Sequence, residues 1–197
     1  AGSIPALGIF YCFQILPHVL MWTIIEYSQC IERGVFIMQK RTGFGHERIE
    51  KALSLYREGE IDKALEYSFD AHNYFQKVKD PGGMCRCYNT IASLYYFNNQ
   101  IVKAIEYYMD GLLIARKEKL WYEIVRLSSN IGSVFFDIGE YDAARIFYAE
   151  SEKYWLLPEV KENDPNYKAN TAMSYLNLFE CACFSDQLED AIKYRDK

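Results

Sequence analysis

Residues 132–144 read GSVFFDIGEYDAA, and two earlier segments align with them without a gap: ALSLYREGEIDKA at 52–64 and ASLYYFNNQIVKA at 92–104. The three copies are spaced by 40 residues. Self-similarity at a period of about 20–50 residues is typical of proteins that are built from stacked structural repeats. The repeat therefore decides the fold class.

Small residues mark two slots in every copy, one in each half. They are Ala52, Ala92 and Gly132 in the first slot and Ala64, Ala104 and Ala144 in the second. Small side chains let two antiparallel helices approach closely. The turn slot between them is occupied by Gly59, Asn99 and Gly139. These residue types best tolerate the left-handed backbone that ends a helix. Each copy is thus predicted to be a helical hairpin, and stacked hairpins form an all-α solenoid.

The third copy resembles the tetratricopeptide repeat (TPR) family. The residues that carry the resemblance are Asn130, Ile131, Gly132, Phe135, Gly139, Tyr141, Ala144 and Tyr148. The usual repeat of that family has about 34 residues, so a 40-residue repeat resembles its long-helix variety in bacterial signalling proteins and kinesin-light-chain-type adaptors. The resemblance implies a peptide- or protein-binding module without catalytic activity. It also implies the sensory or scaffolding part of a larger signalling protein with a diguanylate cyclase, kinase or helix-turn-helix output.

The repeat divides the chain into an N-terminal segment, 1–45, and a repeat domain, 46–197, with copies near 46–80, 81–118, 119–157 and 165–197. Asp80-Pro81 and Asp164-Pro165 are each predicted to be a helix cap followed by proline at the first helical position. The glycines at 43–45 and 82–83 are predicted to lie in short linkers before helices. The fourth copy is displaced, because Ala191 follows its equivalent in the third copy by 47 residues.

The N-terminal segment contains an apolar run from Ile4 to Ile25 without a charged residue. Its 22 residues are long enough to span a membrane, although Pro5 and Pro17 interrupt it. Residues 24–28 also lie 40 residues before 64–68, in the register of the repeat. A degenerate leading repeat, a membrane anchor and a mis-joined N-terminus all remain open. Membrane association and homo-oligomer formation through this segment remain open with them.

The composition excludes one class of partner and favours one compartment. The net charge of -5 and the pI near 5.3 provide no general attraction for a phosphate backbone, so no nucleic acid is expected to bind. The six cysteines include two C-x-C pairs, whose members point about 200° apart on a helix. Reduced cysteines that act as small core residues in a cytoplasmic protein are therefore predicted, with metal or disulfide use as the alternative.

Candidate catalytic residues are few. The three histidines, His18, His46 and His72, lie far apart in the repeat array and outside any catalytic or metal-binding motif. No glycine-rich segment follows a recognisable strand. We therefore expect no enzymatic activity, no metal and no cofactor.

Binding residues are predicted on the first helix of each hairpin, because these helices line the concave surface of such a solenoid. The predicted groove residues are Arg57, Arg86, Asn89, Ser93, Tyr96, Arg126, Ser133 and Phe136. Arg86 and Arg126 are one period apart and provide guanidinium groups for carboxylates, while the aromatic residues provide walls for apolar anchors. The alternative is that the arginines are ordinary surface cations and the aromatic residues belong to the core.

Overall fold

The computed structural model of the protein describes residues 43–158, 160 and 167–195, and within these residues it contains eight helices and no strand. The helices are α1 (Phe44–Arg57), α2 (Ile61–Val78), α3 (Pro81–Phe97), α4 (Ile101–Lys117), α5 (Trp121–Asp137), α6 (Tyr141–Trp155), α7 (Tyr167–Phe184) and α8 (Leu188–Arg195). The apolar run 4–25 and the predicted cap at Asp164-Pro165 lie outside the described residues.

The helices form four hairpins that stack in chain order. Helices α1 and α2, α3 and α4, α5 and α6, and α7 and α8 pack as hairpins, and each hairpin packs on the next through α2 with α3, α4 with α5 and α6 with α7. The first helices also contact one another, α1 with α3 and α3 with α5. The predicted all-α solenoid is confirmed.

The hairpin turns contain the predicted left-handed residues. Gly59, Asn99 and Gly139 have φ angles of 81°, 56° and 82°. Lys79 and Lys119, between hairpins, have φ angles of 56° and 55°, and their residue type did not indicate this conformation in advance. The turn chemistry was therefore predictable within the hairpins but not between them.

The small-residue slots mark the closest helix contacts, as predicted. Ala52, Ala64 and Ala104 are completely buried. A Cβ atom placed on Gly132 would lie 2.7 Å from the Tyr148 ring, so α5 and α6 approach one another directly at this point.

The predicted linker glycines lie instead inside helices. Gly45 is in the first turn of α1 and Gly83 is in the first turn of α3. The Phe75 ring from α2 occupies the space that a side chain at either position would need, with carbon atoms 2.6 Å and 2.1 Å from the two ideal Cβ positions. The start of α3 is as predicted, because Asp80 Oδ1 accepts a hydrogen bond of 3.0 Å from the Gly83 amide and Pro81 is the first helical residue.

The cysteines of the described residues are free thiols. Cys85 packs among residues of the second and third hairpins, whereas Cys87 packs with Phe75 of the first hairpin, so the two point to opposite sides of α3. Burial raises the pKa of both thiols to about 12. Cys181 is also buried, but Cys183 is exposed near the end of α7 and is not a core residue. Cys12 and Cys30 lie outside the described residues.

An ion-pair network ties three helices together. Arg116 of α4 donates two hydrogen bonds to Glu150 of α6, from Nε at 2.9 Å and from Nη2 at 2.6 Å. Ser128 of α5 donates a third hydrogen bond to the same carboxylate at 3.0 Å. The network therefore fixes the second hairpin against the third.

Candidate functional site

The predicted groove residues lie on the first helices of the first three hairpins. Arg57 is the exposed last residue of α1. The other seven are partly buried and lie on α3 (Arg86, Asn89, Ser93, Tyr96) and α5 (Arg126, Ser133, Phe136). We call the surface formed by the partly exposed side chains of α1, α3, α5 and α7 the first-helix face.

Two asparagines join α3 to α5 on this face. The Asn130 amide nitrogen donates a hydrogen bond of 2.7 Å to Asn89 Oδ1. This bond leaves the amide nitrogen of Asn89 and the amide oxygen of Asn130 to complement the N–H and C=O groups of a peptide backbone. The sequence analysis identified only Asn89, because its partner lies 41 residues away, one off the repeat period.

The two predicted serines hold their own hairpins together. The Ser93 hydroxyl lies 2.8 Å from the Tyr108 hydroxyl and donates to the Asn89 carbonyl at 2.9 Å. Ser133 makes the equivalent contacts one period later, because it accepts a hydrogen bond of 3.0 Å from the Tyr148 hydroxyl. These hydroxyls therefore position the first helix on the second and have less capacity left for a ligand than the sequence indicated.

Tyr96 and Asp137 form a second contact between α3 and α5. The Tyr96 hydroxyl donates a hydrogen bond to the Asp137 carboxylate. Burial raises the pKa of Tyr96, and the hydrogen bond to the carboxylate raises it further. Burial also raises the pKa of Asp137, and the same hydrogen bond opposes this effect. Asp137 was not predicted as a site residue.

Aromatic side chains follow the carboxyl-terminal ends of the first helices. This aromatic row consists of Tyr56, Tyr96, Phe97, Phe136 and Phe184. The Tyr56 and Phe97 ring centroids are 5.1 Å apart, and those of Phe136 and Phe184 are 5.4 Å apart. Phe97 and Phe184 are each 44% exposed. The row therefore combines packed rings with rings that face solvent.

Three basic side chains occupy one slot of the repeat near the start of the first helices. This basic row consists of His46, Arg86 and Arg126, at intervals of 40 residues. Arg126 Nη2 donates to the Glu123 carboxylate one turn earlier. The sequence analysis noted the two arginines as a pair but considered His46 only as a candidate catalytic residue. The 40-residue interval was the signal that identifies it as a member of the row.

Within the described residues, no cluster of three or more His, Cys, Asp or Glu side chains is arranged to hold a metal ion. Within the same ranges, no helix combines the length and the apolar character that crossing a membrane requires. The possible membrane segment 4–25 lies outside them.

Comparison with solved structures identifies the fold. The apo form of RapI aligns with a TM-score of 0.66 and 13% identity, over 94% of this chain and 65% of that chain. BtubC from P. vanneervenii aligns with a TM-score of 0.55 and 16% identity, over 90% and 88% of the two chains. A variant of a putative Podosopora anserina kinesin light chain with TPR-like repeats aligns with a TM-score of 0.50 and 11% identity, over 77% and 91%.

No protein-family model and no curated protein matches the sequence. The aligned region spans only about two-thirds of the RapI chain. The protein therefore has a TPR-like α-solenoid fold, and this likeness concerns the fold alone.

Proposed function

We propose that the protein is a non-enzymatic module that binds a peptide or protein segment on its first-helix face. The observation that carries this proposal is the aromatic row, because its exposed members, Phe97 and Phe184, lie on a face where neighbouring helices also present amides and a carboxylate. Large aromatic side chains contribute most of the binding energy in many protein interfaces. The amides of Asn89 and Asn130 complement a peptide group beside them.

The same face would serve as the sensory or scaffolding part of a larger bacterial signalling protein. This part of the proposal is supported by the resemblance of the 40-residue repeat to the long-helix arrays of such proteins. Binding without catalysis is supported by the TPR-like fold, since groove side chains vary on this scaffold while its backbone stays the same.

Selection of peptides from a random display library, with the purified chain as bait, tests the proposal. The affinities of the enriched peptides are then measured by fluorescence polarisation for the parent and for Phe97→Ser/Phe184→Ser. We expect the double change to weaken binding by about tenfold or more, because hot-spot residues contribute about 2 kcal/mol or more each.

A matched control removes two apolar side chains from the outer side of α4. Val102 and Leu113 are 71% and 67% exposed, so Val102→Ser/Leu113→Ser changes as much apolar surface without touching the first-helix face. Its affinity should equal that of the parent. Equal losses in the two double variants, or no enriched peptide at all, would overturn the proposal.

A further inference from the structure

The basic row contains three buried nitrogen atoms without hydrogen-bond partners among the described residues. They are His46 Nε2, Arg86 Nε and Arg126 Nε. Each lies on a different first helix, and the side chains occupy the same slot of the repeat. Buried polar groups in native proteins are nearly always hydrogen-bonded, so three exceptions in one register need an explanation.

The charges around the row are unbalanced. The positive charge of Arg86 acts on His46 and, together with burial, lowers the pKa of the imidazole. The other charged group that acts on His46 is Asp80, which raises the pKa but already accepts the Gly83 amide as the cap of α3. The α2 neighbour of His46 is the uncharged Phe75 ring, at a centroid distance of 5.1 Å.

The two arginines differ in their partners. Arg126 is partly neutralised by Glu123 on its own helix. Among the described residues no ion pair involves Arg86. Arg86 and His46 therefore form the part of the row where donors are buried and an acceptor is missing.

We propose that His46 and Arg86 form a binding site for a carboxylate of the bound peptide, with Arg126 as the next cation along the same line. A carboxylate accepts hydrogen bonds from several donors at once, so it satisfies a guanidinium and an imidazolium together. The inference rests on the proposed function and names the chemistry of the ligand. The carboxylate belongs either to an Asp or Glu side chain or to the carboxyl terminus of the peptide.

The site also predicts uptake of a proton on binding. In the free protein burial and the charge of Arg86 lower the pKa of His46 and hold the imidazole neutral. A carboxylate at the site adds a negative charge beside the imidazole and favours its protonated form. Binding should therefore become tighter as the pH falls from 8 to 6.

The test uses a fluorescein-labelled decapeptide of alternating Glu and Leu with an amidated carboxyl terminus. Two further probes are the matching Gln–Leu peptide and a Gln–Leu peptide with a free carboxyl terminus. Fluorescence polarisation should show at least tenfold weaker binding of the amidated Gln–Leu peptide. Arg86→Gln should weaken binding of the carboxylate probe by about tenfold, as expected for a lost charge-assisted hydrogen bond.

Matched variants separate the site from general charge effects. Lys77→Gln removes an exposed cation from α2 and should leave the affinity unchanged. His46→Gln should remove the tightening between pH 8 and pH 6. His72→Gln should retain it, because His72 is a half-buried histidine on α2 that packs against Tyr88 instead.

The outcomes also distinguish this inference from the proposed function. Binding of either carboxylate probe that depends on Arg86 supports the site, and the probe that binds identifies the source of the carboxylate. If library peptides bind through the aromatic row and Arg86→Gln has no effect on them or on either probe, the carboxylate site is wrong while the proposed function stands. Displacement by inorganic phosphate with no binding of a carboxylate probe would also overturn the inference. If no peptide binds at all, the proposed function fails first.

Discussion

Two adjacent glycines at the start of α3 provide a sharp test of the packing between the first two hairpins. An ideal Cβ atom on Gly83 would lie 2.1 Å from Phe75 Cδ1 and 2.4 Å from Phe75 Cγ. Non-bonded carbon atoms normally approach to about 3.5–4.0 Å. The ring would have to move by more than about 1 Å, and it is only 1% exposed. Its path towards α1 is closed, since the ring also lies against Gly45.

We therefore expect Gly83→Ala to lower the free energy of unfolding. Overpacking of a filled core costs about 1–3 kcal/mol, and the better helix propensity of Ala returns at most about 1 kcal/mol. Gly82→Ala is the matched control, because the nearest atom to its ideal Cβ is Asp80 Oδ1 at 3.4 Å, an ordinary contact. The control should be neutral or up to about 1 kcal/mol more stable.

Thermal and urea unfolding followed by circular dichroism measures both variants. A difference of about 1 kcal/mol shifts the melting temperature by about 2–4 °C in a chain of this size. Phe75→Leu added to Gly83→Ala should recover part of the loss, because a smaller side chain leaves room for the new methyl group. If Gly83→Ala unfolds like Gly82→Ala, the contact between the Phe75 ring and α3 is not as described.

Three further changes test other parts of the fold. Ala104→Leu should lower the free energy of unfolding by about 1–3 kcal/mol, because Ala104 is fully buried; a parent-like urea midpoint would contradict the register. Glu150→Gln should cost about 1–3 kcal/mol in the same assay, because Arg116 loses a charged partner; Glu118→Gln on the exposed surface is the control. Burial raises the pKa of Asp137, so its ionised form opposes folding. Asp137→Asn should therefore stabilise the protein more at pH 7 than at pH 4, as unfolding at both pH values measures; a larger gain at pH 4 would refute this.

The repeated pattern determined the fold from the sequence alone. Small residues at Ala52, Ala92 and Gly132 act locally, because a short side chain allows close helix packing whatever lies farther away. The turn residues Gly59 and Asn99 act equally locally, through their tolerance of positive φ. Such rules operate within about ten residues of sequence, so three aligned copies suffice to predict hairpins and a stack.

The same rules failed where a long-range neighbour decided the outcome. Gly45 and Gly83 look like linker residues in the sequence, yet both are helical because the Phe75 ring from another helix needs the space of their missing side chains. That ring is eight residues before one glycine and thirty after the other. No local propensity reports such a contact.

The candidate site divides in the same way. The 40-residue period alone placed Arg86, Ser93 and Ser133 on one set of helices. The tertiary structure decided that the serines bond to tyrosines 15 residues ahead, within their own hairpins, and that His46 joins Arg86 in an unsatisfied basic row. The physical reason is that periodicity determines which side of a helix a residue occupies, whereas a hydrogen bond depends on which atoms of the neighbouring helix lie within about 3 Å.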